Sequence, residues 1–178
     1  MKSNSNTKKD QYFTGFYSHA EGVILADTYY KIGNDLYQSI LPKLLNGTPT
    51  NEDVWRLNPA FVNLSFSCEI VLKLIYENEF GKMIEGHKLY KELFTKLSKE
   101  TQNVIADLTI GAMKSNYESE YTYEMFIDDL KKSENTFSHE RYSFEIRPGQ
   151  SHGLQCAFLL TFSHILNAVS YTHLTLPT

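Results

Sequence analysis

An all-α bundle of about five or six helices is the architecture this chain predicts. Three observations carry it. Apolar residues recur at helical spacing over several long stretches, no useful length of sequence alternates apolar with polar, and Gly, Pro and Asn punctuate the stretches at short intervals. The 178 residues are 42% hydrophobic, enough for one domain with a real core. Twelve Tyr and eleven Phe argue against disorder.

Residues 1–15 are polar and predict a loose N-terminus ahead of a single domain over 16–168. From 20 to 41, Val23, Ala26, Tyr30, Tyr37, Ile40 and Leu41 recur at helical spacing, with Pro42 expected to end the helix. Asn46-Gly47-Thr48-Pro49-Thr50-Asn51 has the chemistry of a loop. Asn58-Pro59 reads as a helix start, Asn58 capping and Pro59 taking the first position, where a missing N–H costs nothing. The helix from Pro59 to about Tyr76 is apolar around most of its circumference, as a central bundle helix must be. Gly81 and Gly86 bracket a connection to a helix over about 87–97, and another follows over 98–113 with Ser98 and Thr101 as caps. A long pattern over 121–145 places Tyr123, Ile127, Leu130 and Phe137 on roughly one face. Pro148 and Gly149 then break the chain before a last apolar helix over 154–168, through Phe158, Phe162 and Ile165.

A net charge of −4 argues against a broad nucleic-acid-binding surface, though not against a local one. Cys68 and Cys156 sit inside apolar helical patterns and read as buried thiols of a reducing compartment. No apolar run approaches the ~18 residues of a membrane span. The polar start, Met1-Lys2-Ser3-Asn4, lacks the apolar core of a secretory signal. A soluble cytoplasmic protein is expected, without a membrane partner. No Glu-x-x-His pair, Cys-x-x-Cys pattern or glycine-rich phosphate loop is present, and the sequence calls for no metal and no cofactor.

Glu69 and Lys73 stand four residues apart in the middle of the most apolar helix, Glu first, the favourable order for an ion pair. Core helices rarely need a charge there. The plain reading is a self-satisfied pair; the sharper one sets Glu69 beside a basic partner from another helix, which it orients. Asn63 and Ser67 widen a polar strip on the same side. His87 follows Gly86 at a predicted helix start, to cap, pack, or serve as an acid/base or RNA contact. His139 precedes Arg141-Tyr142-x-x-Glu145, in which Arg141 either pairs with Glu145 or grips a phosphate with its planar fork. Arg147 is followed by His152. Such a pair supports metal-independent RNA cleavage, the histidine taking the 2′-OH proton and the arginine stabilising the developing charge. Lys82, Lys88, Lys91, Lys96 and Lys99 cluster around one helix, as a solvated face or an RNA-facing patch.

Taken together, Asn58-Pro59, Asn63-Leu64, Cys68-Glu69, Leu72-Lys73, Gly86-His87, Leu89 and Leu93, with Arg141-Tyr142 and Glu145 before a final apolar helix, resemble the HEPN superfamily over roughly 20–168. The resemblance implies an up-and-down helical bundle that often forms a homodimer. It also implies one of two activities. One is a metal-independent RNase, or an effector derived from one, in a toxin–antitoxin or antiphage system, with the family's Arg-x(4–6)-His motif mapping onto Arg147 and His152. The other is a non-catalytic module that binds RNA, a nucleotide or a protein, often beside a nucleotidyltransferase partner. On the first, Arg147, His152, Arg141 and Glu69 are the catalytic candidates, and Lys73, His87 and His139 contact substrate. Proline after Arg147 departs from the family pattern. The last ten residues, Val169-Ser170-Tyr171-Thr172-His173-Leu174-Thr175-Leu176-Pro177-Thr178, resemble a translated sequencing adapter. They are expected to be a tail outside the native domain, the natural gene continuing past Ala168.

Overall fold

The computed structural model describes residues 19–134, 136 and 156–175. Among these the chain is all-helical, with no strand. Six α-helices, α1 (His19–Leu45), α2 (Asn51–Trp55), α3 (Leu57–Phe80), α4 (Lys99–Asn116), α5 (Tyr123–Lys132) and α6 (Cys156–Thr175), are joined by a π-helical turn (Leu89–Leu93) and a 3-10 turn (Phe94–Lys96).

Helix α1 turns Val23, Ala26, Tyr30, Gly33, Tyr37 and Ile40 inward, in alternating steps of three and four residues. Gly33 is the smallest member of that seam. A Cβ there would lie 2.8 Å from the Ala60 carbonyl oxygen, so glycine sets how closely α1 approaches α3. Pro42 lies inside the helix rather than at its end. One turn from the terminus it removes a single N–H bond, and its φ remains helical. Gly47, at φ 66°, makes the actual exit.

The capping of the next helices also differs from expectation. Thr50 caps α2 reciprocally with Asp53. Its N–H and hydroxyl donate to Asp53 Oδ2 at 3.0 and 2.7 Å, and Lys43 Nζ donates to Oδ1 at 2.6 Å. Helix α2 then runs almost directly into α3, so Asn58-Pro59 falls within the first turn and no side chain caps it. Lys43, followed by the Thr50 donors, holds the Asp53 carboxyl well below the usual carboxylate range. A carboxyl depressed in the folded state contributes stability above its unfolded pKa, about 3.9, that is lost as pH falls through the folded value. Asp53→Asn is therefore expected to lower the urea midpoint at neutral pH. The variant should lose less stability than the parent on acidification below about pH 4, which midpoints collected across that range would show.

Helix α3 is buried around most of its circumference and packs against α1 and α6. It ends at Phe80, where Gly81 adopts φ 64°. Burial pushes the Cys68 thiol up. Together α2 and α3 form a 30-residue helical stretch with the length and hydropathy of a membrane span. Yet 61% of its apolar window is buried in the protein, as expected of a central bundle helix.

The helix expected over 87–97 is instead extended chain followed by the π and 3-10 turns. The Glu92 carboxylate accepts the backbone N–H groups of His87 (2.9 Å) and Lys88 (3.2 Å), which holds these residues outside the helix. The wide π turn brings Leu89, Leu93 and Phe94 into the core together. Ser98 caps α4, and Glu79 at the end of α3 accepts from Ser98 N–H, Ser98 Oγ and Thr101 Oγ1.

Within the stretch expected over 121–145, α5 covers Tyr123–Lys132, and positions 137–145 lie outside the described residues. Its inward residues are Phe126 and Leu130, while Tyr123 is largely outside. The face is rotated because Tyr121, just ahead of the helix, is buried and donates its hydroxyl to Asp129 at 2.8 Å. Helix α6 continues past Ala168 to Thr175, and Val169 and Ser170 are buried.

Candidate functional site

Residues 69, 73 and 77 are spaced four apart on α3, so Glu69, Lys73 and Glu77 form one stripe along the helix. Glu69 is 3% exposed. A carboxylate at that depth must be paired to be tolerated. Its Oε1 accepts from Lys73 Nζ at 2.7 Å and lies 2.9 Å from His87 Nδ1. The basic partner thus comes from the connection after α3 rather than from another helix. Its approach depends on Gly86, whose φ of 122° only glycine adopts easily.

An ionised carboxylate can only accept, so the Glu69 bond assigns the proton to His87 Nδ1. A neutral ring then has Nε2 as its acceptor. The His87 side chain is 70% exposed, which makes that nitrogen accessible from solvent. A buried acid thus orients an exposed imidazole, with a lysine ammonium bonded to the same oxygen. Proton abstraction beside a bound anion is within the reach of this arrangement.

Next to the cluster lies a groove of about 240 Å³ between α1, α3 and the following connection. Leu25 of α1, Phe66, Ile70 and Leu74 of α3, and Met83 and Ile84 of the connection supply its apolar walls. Gly22 borders it where α1 meets Leu74. Glu69, Lys73 and Glu77 add its polar edge. The other oxygen of Glu69, Oε2, is buried and accepts no hydrogen bond among the described residues. At the far end of the stripe, His19 Nδ1 lies 3.9 Å from Glu77, and its buried Nε2 has no hydrogen-bond partner among the described residues.

Of the residues singled out from the sequence, Glu69, Lys73 and His87 come together. His139, Arg141, Arg147 and His152 lie outside the described residues. Ser67 does not share the strip. Its hydroxyl donates to the Ala26 carbonyl at 2.8 Å and accepts from Asn167 at 3.0 Å, tying α1, α3 and α6 together in the core. Asn63 bonds the Pro59 carbonyl one turn back. Lys82, Lys88, Lys91, Lys96 and Lys99 are all exposed. The stripe's extension to Glu77 was readable from the four-residue spacing, whereas His19 had no signal, since only the packing of α1 on α3 brings it near. Among the described residues no group of three or more His, Cys, Asp or Glu could hold a metal ion. No family model matches the chain, and neither a curated protein nor a solved structure shows significant similarity to it.

Proposed function

We propose that this chain is a HEPN-like RNase, or an effector derived from one, acting in the cytoplasm in a toxin–antitoxin or antiphage system. The observation that carries the reading is the Glu69–His87 pair, a buried carboxylate holding an exposed imidazole in one tautomer. In the proposed step His87 Nε2 removes the proton from a ribose 2′-OH. The 2′ oxygen attacks the adjacent phosphorus, the 5′ oxygen leaves and is protonated, and a 2′,3′-cyclic phosphate remains. The exposed Lys82, Lys88 and Lys91, on the same segment as His87, supply local positive charge for the RNA backbone in a chain that is acidic as a whole. Arg141 and Arg147 keep in this proposal the roles implied by the family resemblance, as does homodimer formation, while the base role passes from His152 to His87 and His152 donates the proton taken up by the leaving 5′ oxygen.

The test is cleavage of a defined RNA by the purified chain in the presence of EDTA, with His87→Ala, His152→Ala and Arg141→Ala beside it. His87→Ala is expected to slow formation of the cyclic phosphate about 10²–10⁴-fold, the usual contribution of a general base. Unchanged cleavage by a folded His87→Ala protein would remove His87 from the mechanism.

The apolar groove beside the pair favours a second reading, a non-catalytic module that binds RNA, a nucleotide or a protein such as a nucleotidyltransferase partner. It predicts salt-sensitive RNA binding with no turnover by the parent protein.

A further inference from the structure

Resting on the RNase reading, we propose that Glu92 is a positioning residue for His87: its carboxylate clamps the backbone there, so that the imidazole seats on Glu69. The His87 side chain is 70% exposed, so packing does little to fix its ring. Two things set where the imidazole lies. One is its bond to Glu69 Oε1 at 2.9 Å, and the other is the place of the backbone that carries it. A backbone shift of about 1 Å would stretch that bond beyond hydrogen-bond range.

The clamp reaches back from the π turn. One oxygen of Glu92, Oε2, accepts both the His87 N–H at 2.9 Å and the Lys88 N–H at 3.2 Å. Those donors, His87 first, hold the Glu92 carboxyl below its usual range, so both bonds are made to a charged acceptor. Gly86 completes the fit. A Cβ there would lie 2.8 Å from both Cβ and Oε2 of Glu92, at a φ of 122° that disfavours any other residue. Glu92 itself stands on a fixed base. Leu89 and Leu93, at the two ends of the π turn, are buried in the core, and the Lys91 N–H donates to Glu134 Oε1 at 3.1 Å. A turn of this kind recurs at functional sites. His87 is thus held by two carboxylates, its ring by Glu69 of α3 and its backbone by Glu92.

The experiment compares the full chain with Glu92→Ala, Glu92→Gln and Gly86→Ala by two readouts. One is the nitrogen-15 shifts of the His87 ring, which tell Nδ1–H from Nε2–H, at a pH where the ring is neutral. The other is kcat and KM for RNA cleavage in EDTA. The parent is expected to carry the proton on Nδ1. Glu92→Ala should move it toward the Nε2–H form that free histidine favours in water. The same variant should lower kcat roughly 10²-fold with KM unchanged, the scale of a misplacement of about 1 Å. Glu92→Gln keeps an oxygen that can accept both N–H groups, and should restore the tautomer and most of kcat. Gly86→Ala should reproduce Glu92→Ala by pushing the same carboxylate aside, which keeps the test decisive if Glu92→Ala fails to fold. An unchanged tautomer in the folded Glu92→Ala and Gly86→Ala proteins, or a loss of kcat without a change of tautomer, would overturn the proposal. A parent that cleaves no RNA, with the tautomer still shifting in Glu92→Ala, would overturn the RNase reading and support the clamp.

Discussion

Phe126→Ala is expected to cost about 3–5 kcal/mol of folding stability, the usual price of emptying a fully buried phenylalanine site. Phe126 has no exposed surface and sits at the junction of three parts of the chain. Its ring centroid is 5.5 Å from Phe94 in the 3-10 turn and 5.9 and 6.1 Å from Phe158 and Phe162 of α6, all at steep interplanar angles. Each neighbour would lose a packed edge at once, and rings on separate helices cannot close the gap together. In a chain of this length the change corresponds to a Tm lower by roughly 10 °C. Tyr123→Ala is the matched control, since Tyr123 is 45% exposed on the same helix and should cost less than about 1 kcal/mol. Equal losses for the two variants, read from urea unfolding, would contradict the inward placement of Phe126.

The second large effect concerns the charged stripe. Lys73→Met leaves the Glu69 carboxylate buried with His87 as its remaining partner, and is expected to cost about 3 kcal/mol. The double variant Glu69→Leu/Lys73→Met removes both charges and fills the space with apolar atoms. Replacing a buried pair in this way is often neutral, so the double variant should recover to within about 1 kcal/mol of the parent. Non-additivity of that size is the signature of a direct pair. A double variant no more stable than Lys73→Met alone would mean that the two side chains do not act as a pair. A stable double variant that has lost RNA cleavage or RNA binding would separate the purpose of the stripe from folding. His87 would have lost the acid that orients it, with the bundle intact.

Much of the fold was legible because helical periodicity is a local property. The three-and-four spacing of Val23, Ala26, Tyr30, Tyr37 and Ile40 predicts the inward face of α1, and Ser98 predicts the start of α4. The sequence misleads where one nearby side chain or a helix end overrides the periodic signal. Pro42 ends nothing because it stands a single turn from the helix exit. The Gly86-His87 step opens no helix because Glu92 captures its backbone N–H groups. Tyr123 yields the inward position to Phe126 because the buried Tyr121 sets the rotation of α5.

The candidate site divides along the same line. Glu69 and Lys73 share one helix four residues apart, so their pairing is determined by the sequence through helix geometry alone. An acid buried in an apolar helix also declares that it needs a partner. That the partner is His87, eighteen positions away, was decided by the turn at Gly81 and the left-handed backbone of Gly86, which bring the connection back over α3. The groove beside the pair is likewise tertiary, since its walls come from three segments that no periodicity links. The sequence by itself thus determined an all-helical chain with a charged pair in its most buried helix. Only the packing of α1 and the return of residues 81–88 decided which face that pair presents, because contacts between segments depend on where the whole chain turns and not on the spacing within any one helix.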